Sequence, residues 1–200
     1  KEYDKYNVLE DLDMEMEDVM YVTEEMMAYL RGEREELRVI TTVDGVRQDF
    51  FNEQDRFHME EVQGLFLGGM RLRESAAVVL VVCVLCLILM KADLLRILSK
   101  SWQIILGVLL AAVAVLGIAV ARDFNAVFTL FHEIFFDNDL WIFDPATDYM
   151  IRMLPEGLFF DFVIRIGWMF LLGAGILLLL SLAAKRRWKK EEQKRRNTEN

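Results

Sequence analysis

The chain has 200 residues, of which 54% are hydrophobic and 28% charged, and its formal net charge is −9. The acidic residues lie in segments beside long apolar runs. The basic residues form no groove, which argues against a nucleic-acid-binding protein. Only two histidines occur, His58 and His132, and both lie in short segments rich in aromatic and acidic residues. Imidazole is the side chain that changes charge near neutral pH, so we expect the chemistry to lie at these positions.

Three apolar runs, at 75–90, 102–120 and 162–184, predict three membrane-spanning helices. A helix rises ~1.5 Å per residue and the hydrocarbon core is ~30 Å thick, so about 20 residues cross it. The second and third runs reach this length directly. The first run is shorter and is extended by Leu72 and by the aliphatic stem of Lys91. The alternative for this first run is a buried helix in a protein core.

The distribution of basic residues predicts the side of the membrane on which each connecting segment lies, because cytoplasmic segments carry more lysine and arginine. Residues 1–70 hold 19 acids to 7 bases, and residues 121–161 hold 8 acids to 2 bases, whereas the segments after the first and third runs are basic. We therefore expect two extracellular segments, a cap at 1–70 with an amphipathic helix and a β-hairpin and an aromatic-rich segment at 122–161. The expected cytoplasmic segments are a loop at 92–101 and a basic tail at 185–200. Transmembrane helices are expected at 71–91, 102–121 and 162–184.

An extracellular segment of this length at the N-terminus needs a preceding segment to carry it across the membrane, and the chain does not begin with methionine. We therefore expect an N-terminal signal anchor outside this sequence, which would give the intact protein four spans. The fold class that follows is mainly α: a polytopic membrane helical bundle with a small α+β extracellular cap.

Within the cap, apolar residues recur at helical spacing from Met14 to Arg31, and Gly32 follows as a stop signal. Residues 38–43 and 46–51 are strand-like, and Asp44-Gly45 between them is typical of a tight hairpin turn. These patterns predict one amphipathic helix followed by one β-hairpin.

The hairpin leads into the helix that carries the first histidine. Asn52, with Asp55 three residues further on, predicts the N-cap of this helix, which runs past His58 towards the first span. We expect the helix to be loosened at Gly68-Gly69. If one active site exists, a bend there has to bring His58 to face His132.

Residues 121–161 hold 10 of the 23 aromatic residues and both prolines. Residues 122–136 continue at helical spacing beyond the second span, and His132 lies beside an aromatic stripe. Asp144-Pro145 predicts a short helix running to Leu154. Aromatic rings in this segment are typical of packing or of interfacial anchors, and a substrate enclosure is the alternative. Likewise, a lone interfacial histidine is typically a hydrogen-bonded structural residue.

The sequence favours no metal or cofactor site. His58 has Asp55 and Glu61 at helical spacing, but a metal needs three or four converging ligands and no His-Glu-x-x-His or Cys/His cluster is present. Gly-rich phosphate loops and Gly-x-Ser-x-Gly elbows are also missing. Cys83 and Cys86 lie on one face of the first span, where apolar packing is favoured over a redox or metal pair. We therefore predict no cofactor and no metal.

Two motifs surround the histidines. The first is Phe50-Phe51-Asn52-Glu53 followed by His58-Met59 and Val62. The second consists of Phe131-His132-Glu133, Phe135-Phe136, Trp141, Phe143-Asp144-Pro145, Asp148, Ile151, Leu154-Pro155-Glu156 and Phe159-Phe160. In this order and around these spans, the motifs resemble signatures of the bacterial lipoprotein intramolecular transacylase (Lit) family of integral membrane proteins. With the cap helix, the resemblance covers nearly all of the chain. Glu61 departs from it, because an aspartate is expected there, but the charge is kept.

The resemblance implies an acyl transfer at the extracellular face of the bacterial cytoplasmic membrane. Its substrate is a lipoprotein whose N-terminal cysteine carries a diacylglyceryl thioether and a free α-amine. The sn-2 acyl chain moves to that amine and leaves a lyso-form lipoprotein. Conversion of an ester to an amide is downhill, so the reaction needs no cofactor. The expected partners are the diacylated lipoprotein and membrane lipid, and the oligomeric state is left open.

Two imidazoles, one neutral and one donating a proton, suffice for such a transfer without a covalent intermediate. We therefore predict His58 and His132 as the catalytic residues and leave open which of them is the base. The residues predicted to bind or orient the substrate are Asn52, Glu53, Glu133, Trp141, Phe143 and Arg165; Arg165 near the outer end of the third span is otherwise a snorkelling residue.

The alternative function is that of a non-enzymatic membrane protein whose acidic extracellular cap binds a partner or senses a ligand. In that case both histidines are structural. Convergence of His58 and His132 on one cavity favours the enzyme, and wide separation favours the alternative.

Overall fold

The computed structural model describes residues 2–199, which form two compact units. The first unit comprises the chain up to Glu74 together with Phe128–Phe162, and the second comprises Ser75–Val127 and the chain from Val163 onwards. In chain order the elements are α1 (Glu2–Lys5), α2 (Val8–Asp11), α3 (Met16–Leu30), β1 (Ile40–Val43), β2 (Val46–Asp49), α4 (Glu53–Leu89), α5 (Leu94–Arg122), α6 (Phe124–Phe135), α7 (Tyr149–Met153) and α8 (Glu156–Glu199).

The predicted amphipathic helix is α3, whose buried residues recur at helical spacing and supply one wall of the core of the first unit. The helix ends where Gly32 takes a φ of 73°, a left-handed conformation that favours glycine. The amide groups of Gly32 and Glu33 donate to the carbonyl oxygens of Tyr29 and Ala28, at 2.8 and 3.0 Å. These are the two bonds of a Schellman end, so the predicted stop at Gly32 is confirmed.

The predicted β-hairpin is also confirmed. β1 and β2 pair antiparallel with Val43 opposite Val46. Asp44 and Gly45 form the turn with φ values of 49° and 72°. Positive φ at both central residues is the geometry of a type I′ turn, whose twist matches that of the paired strands.

The hairpin anchors the start of the helix that carries His58. Phe50 and Phe51 follow β2 directly, are completely buried, and pack edge to face with their ring centroids 5.1 Å apart. At the next residue, the backbone N–H of Asn52 donates to Asp55 Oδ2 at 3.0 Å, and the Asp55 N–H donates to Asn52 Oδ1 at 2.9 Å. This reciprocal pair is a capping box, so the predicted N-cap is confirmed.

Two local predictions are wrong: the loosening of the helix at Gly68-Gly69 and the start of the short helix at Asp144. α4 runs without a break through Gly68 and Gly69, and α5 begins at Leu94, so most of the predicted 92–101 loop is helical. The short helix predicted from Asp144 begins only at Tyr149, because the carbonyl oxygen of Asp144 accepts from the amides at 147 and 148 and closes a turn there. α8 continues through the predicted basic tail.

Three of the described helices are long and apolar enough to cross a membrane: α4, α5 and α8, with apolar windows whose mean hydropathy is 2.5, 3.0 and 2.3. Their windows are at most 11% buried within the chain, so large aliphatic side chains face outwards, as they do in contact with lipid. The predicted fold class, a mainly α membrane protein with a small α+β cap, is confirmed.

Candidate active site

The two histidines lie together in the first unit, on α4 and α6. Their ring centroids are 5.9 Å apart and the ring planes are inclined by only 26°. Both residues are buried, with 6% of His58 and 7% of His132 exposed. The two imidazoles therefore lie close enough to act on the same reacting group. The uninterrupted α4 therefore carries His58 to His132 without the predicted break at the glycine pair.

Aromatic rings enclose both imidazoles. Phe136 and Phe143 lie edge-on to His58, with centroid distances of 5.0 and 5.4 Å. Phe128 and Trp141 lie against His132, at 4.1 and 4.8 Å. Side chains four residues apart share one face of a helix. For this reason Phe128 and His132 of α6, and Phe136 directly after it, lie on the same side. The imidazoles therefore lie in surroundings of low polarity.

The hydrogen bond of His132 indicates its tautomer. Its Nδ1 lies 2.8 Å from the carbonyl oxygen of Phe128. A carbonyl oxygen only accepts, so Nδ1 must carry the hydrogen and donate it. In the neutral ring Nε2 is then unprotonated, and this nitrogen is the one able to take a proton from a substrate.

Burial keeps both rings neutral near pH 7. Burial, with a smaller effect from the neighbouring His132, lowers the pKa of His58 from 6.5 to about 4. Burial also lowers the pKa of His132, against the opposing effect of the bond to Phe128. Nδ1 of His58 is buried and has no hydrogen-bond partner among the described residues. The site thus offers two uncharged imidazoles in an apolar enclosure.

Polar side chains on either side of His58 hold the segment that carries Trp141. Gln54 Nε2 donates to the carbonyl oxygens of Leu140 and Ile142, both at 3.0 Å. One turn beyond His58, Glu61 Oε1 accepts from Asn138 Nδ2 at 2.8 Å. α4 therefore fixes both ends of the stretch 138–142, which carries the Trp141 indole that lies against His132.

A second set of bonds fixes the N-terminus of α4. Asn52 Nδ2 donates to Asp148 Oδ1, and Asp148 Oδ2 accepts from the Asp144 N–H at 2.6 Å. Asp55 is completely buried, and burial, with a smaller effect from the charge of Asp148, raises its pKa to about 6 against the lowering effect of the Asn52 N–H. Asn52 thus joins the capping box of α4 to the turn that follows Phe143.

The predicted orienting residues divide into two groups. Trp141 and Phe143 contact the imidazoles, whereas Asn52 is joined through Asp148 to the turn that follows Phe143. Glu53 and Glu133 are exposed on α4 and α6, without a hydrogen bond or ion pair among the described residues, and Arg165 is an exposed residue of the second unit. Their roles stay predictions.

Sequence reasoning missed Gln54 and Asn138 and named Asp148 only as a member of the second motif. Gln54 lies four residues before His58 and so shares its helix face, which is a signal that was available. No local pattern shows that its partners are the carbonyls at 140 and 142, because main-chain acceptors are present at every residue. In the described part of the chain, no three side chains of the metal-ligating types come together.

Replacing Gln54 with alanine is expected to lower kcat by about tenfold to a hundredfold, because the indole of Trp141 is no longer held against His132 and misplacement of about 1 Å has this cost. Gln63→Ala is the matched control, since Gln63 lies on the same helix and donates to the carbonyl oxygen of Tyr29 instead. Turnover and the thermal unfolding midpoint should be measured for both variants. An equal loss of turnover in the two would contradict a positioning role for Gln54.

Comparisons with known proteins agree with the sequence motifs. The scan against protein-family models matches the family described as lipoprotein intramolecular transacylase Lit over residues 1–160. Comparison with the curated proteins finds no match.

Among solved structures, the chain is similar to the membrane integral lipoprotein intramolecular transacylase Lit from Bacillus cereus. The two are 22% identical over 96% of this chain and 82% of that chain, with a TM-score of 0.66. A variant of that protein with one histidine replaced by alanine matches at 21% identity over 94% and 80% of the two chains, with a TM-score of 0.65. At these identities the structural likeness concerns the fold, whereas the family match covers most of the sequence. The chain therefore belongs to the lipoprotein intramolecular transacylase (Lit) family of membrane enzymes.

Proposed function

We propose that this protein moves the sn-2 acyl chain of a diacylglyceryl-cysteine lipoprotein onto the lipoprotein's own N-terminal α-amine. The observation that carries the proposal is the pair of neutral imidazoles, 5.9 Å apart inside an aromatic enclosure, in a chain of this family. The reaction forms one amide bond and breaks one ester bond. The proton lost by the amine ends on the released glycerol oxygen, so atoms and charges balance without another reactant.

His132 is proposed as the general base. Its Nδ1–H is committed to the Phe128 carbonyl, which leaves Nε2 as the proton acceptor. As the substrate amine attacks the ester carbonyl, Nε2 takes the proton that the nitrogen loses, and it returns this proton to the departing glycerol oxygen when the tetrahedral intermediate collapses. The bond to Phe128 strengthens when the ring becomes an imidazolium and so favours the charged intermediate state.

His58 is proposed as the hydrogen-bond donor to the oxyanion. With a pKa of about 4, its ring stays a neutral imidazole during turnover. A neutral imidazole still has one N–H, and a donor placed in an apolar enclosure stabilises developing negative charge more than it does in water. His58 therefore needs no change in its own protonation state to assist the attack.

The aromatic enclosure is proposed to hold the acyl chain and to exclude water. Trp141 and Phe143 line the enclosure beside the two imidazoles, where an apolar chain and its ester would displace water. Exclusion of water matters because hydrolysis of the ester competes with its transfer to the amine. Exposed Glu53 and Glu133 are proposed to bind the polar parts of the substrate, and the role of Arg165 stays a prediction from the sequence.

The proposal is tested with the purified full chain, a synthetic diacylglyceryl lipopeptide and phospholipid carrying isotope-labelled acyl chains. The expected product is the N-acyl, S-monoacylglyceryl lipopeptide, free of label, as read by mass spectrometry. Label in the N-acyl group would instead identify a phospholipid-dependent acyltransferase. Recovery of unchanged substrate would favour the non-enzymatic sensor or binding protein.

We further propose that the protein is a multi-pass protein of the bacterial cytoplasmic membrane with its active site on the extracellular face. The excess of acidic residues in the cap and of basic residues after the first and third spans supports this orientation. In a variant without Cys83 and Cys86, an impermeant thiol reagent applied to whole cells should label Arg47→Cys strongly and Lys190→Cys weakly. The reverse labelling pattern would overturn the proposed topology.

A further inference from the structure

A polar contact joins two spanning helices within the second unit. Ser181 Oγ of α8 donates to the carbonyl oxygen of Ser99 in α5 at 3.0 Å, and Ser99 Oγ donates to the carbonyl oxygen of Ser181 at 3.3 Å. Gln103 Nε2 adds a bond to Ser181 Oγ at 2.9 Å, and Lys185 Nζ donates to Gln103 Oε1 at 3.1 Å. Small polar residues of this kind let helices approach closely in a membrane.

Two turns beyond Ser181, the same pairing places Trp188 of α8 beside two cations of α5. The guanidinium carbon of Arg96 lies 5.2 Å from the centroid of the indole ring, and Nζ of Lys100 lies 5.9 Å from it. Trp188 is only 9% exposed, and its Nε1–H is buried without a hydrogen-bond acceptor among the described residues. A tryptophan N–H only donates, so this group needs an acceptor and has none in the part of the chain that the structure describes.

The cations beside this indole are exposed and also lack an acidic partner. No carboxylate in the described part of the chain forms an ion pair with Arg96 or Lys100. Two nearby acids have other partners: Asp93 accepts from the backbone N–H of Arg96 as the N-cap of α5, and Glu192 pairs with Arg196 at 2.8 Å. The cluster of Arg96, Lys100 and Trp188 therefore offers several donors, two positive charges and no acceptor.

We propose that this cluster binds the phosphate of an anionic phospholipid headgroup. Phosphate oxygens accept hydrogen bonds from guanidinium, ammonium and indole groups alike, and they match the charge of the cluster. A lipid is the fitting source because Arg96 and Lys100 lie in the first turns of α5 and Trp188 follows the apolar run of α8. Leu95, Leu98 and Leu182, near these residues in sequence, are exposed and offer contact to acyl chains. Basic pockets between spanning helices are typical sites for anionic headgroups.

The inference is tested on the intact protein in detergent by native mass spectrometry, with titration of phosphatidylglycerol, phosphatidylcholine or inorganic phosphate. Phosphatidylglycerol is expected to stay bound and phosphatidylcholine to be lost. Trp188→Phe keeps the ring but removes the N–H, and it should weaken phosphatidylglycerol binding about tenfold, the cost of one hydrogen bond to a charged group. Arg96→Gln and Lys100→Gln should weaken binding at least as much.

Arg186→Gln is the matched control, because it removes the same charge from an exposed position of α8 close to Trp188 in sequence. Circular dichroism of each variant checks that its helices are intact. An equal loss of binding in Arg186→Gln and Arg96→Gln would reduce the effect to general surface charge and overturn the proposal. Displacement of phosphatidylglycerol by millimolar inorganic phosphate would overturn the lipid as the source of the phosphate.

Discussion

Replacing His58, the oxyanion donor, with alanine is expected to lower turnover by ~10²–10³-fold, and replacing His132, the base, with asparagine is expected to lower it by ~10²–10⁴-fold. Asparagine keeps a polar side chain of similar size but takes no proton near neutral pH. Both residues are buried, so circular dichroism of each variant checks that its helices remain intact. Turnover of the diacylglyceryl lipopeptide by each purified variant is the measurement.

The double variant distinguishes shared catalysis from two independent effects. Because we assign both imidazoles to one acyl transfer, the loss in His58→Ala/His132→Asn should be much smaller than the product of the two single losses. Glu60→Gln is the matched control, since Glu60 is exposed on the same helix as His58. Unchanged activity in the double variant would remove both histidines from the chemistry.

The elements of the first unit that could be predicted from the sequence are those set by local rules. The end of α3 at Gly32 and the turn at Asp44-Gly45 need backbone conformations with positive φ, and few residue types supply them. The start of α4 at Asn52 rests on a side chain that satisfies an amide three residues away. Each of these signals lies within a few residues of the structure that it specifies.

The glycine pair in α4 shows why another local rule failed. A glycine in a helix costs about 1 kcal/mol relative to alanine, which led us to expect a loosened helix at Gly68-Gly69. A break would also leave backbone amides and carbonyls without partners close to the apolar span, where water is scarce. This second cost is the larger one, and the helix stays continuous.

The candidate site could be predicted only in part for a related reason. Chemistry singles out the two histidines, since few other side chains exchange protons near pH 7. The tautomer of His132 depends on a carbonyl four residues away within a helix that has many equivalent carbonyls. The bonds from Gln54 to Leu140 and Ile142 join residues far apart in the chain, so they follow from tertiary packing rather than from a motif.

The lowered pKa of His58 predicts the pH dependence of the reaction. The α-amine of a peptide titrates at about pH 7.7–8.0, and only its neutral form attacks an ester. A histidine whose pKa is lowered to about 4 is still neutral at pH 5, so acidification from pH 7 to pH 5 protonates the amine but not His58. One proton, that of the amine, controls the range in which both imidazoles are neutral, and kcat/KM is expected to fall there by about tenfold per pH unit.

A His58 with the ordinary pKa of 6.5 would give a different profile, because a second proton would bind below that pH and the fall would steepen to about 100-fold per unit. The measurement is kcat/KM of the full chain between pH 5 and pH 8, at constant ionic strength. Asp55 has a pKa raised to about 6 and titrates in the same range, so the profile should also be recorded for Asp55→Asn. A second-order fall that persists in this variant would show that one of the two imidazoles gains a proton in this range, and it would contradict a site built from two neutral rings.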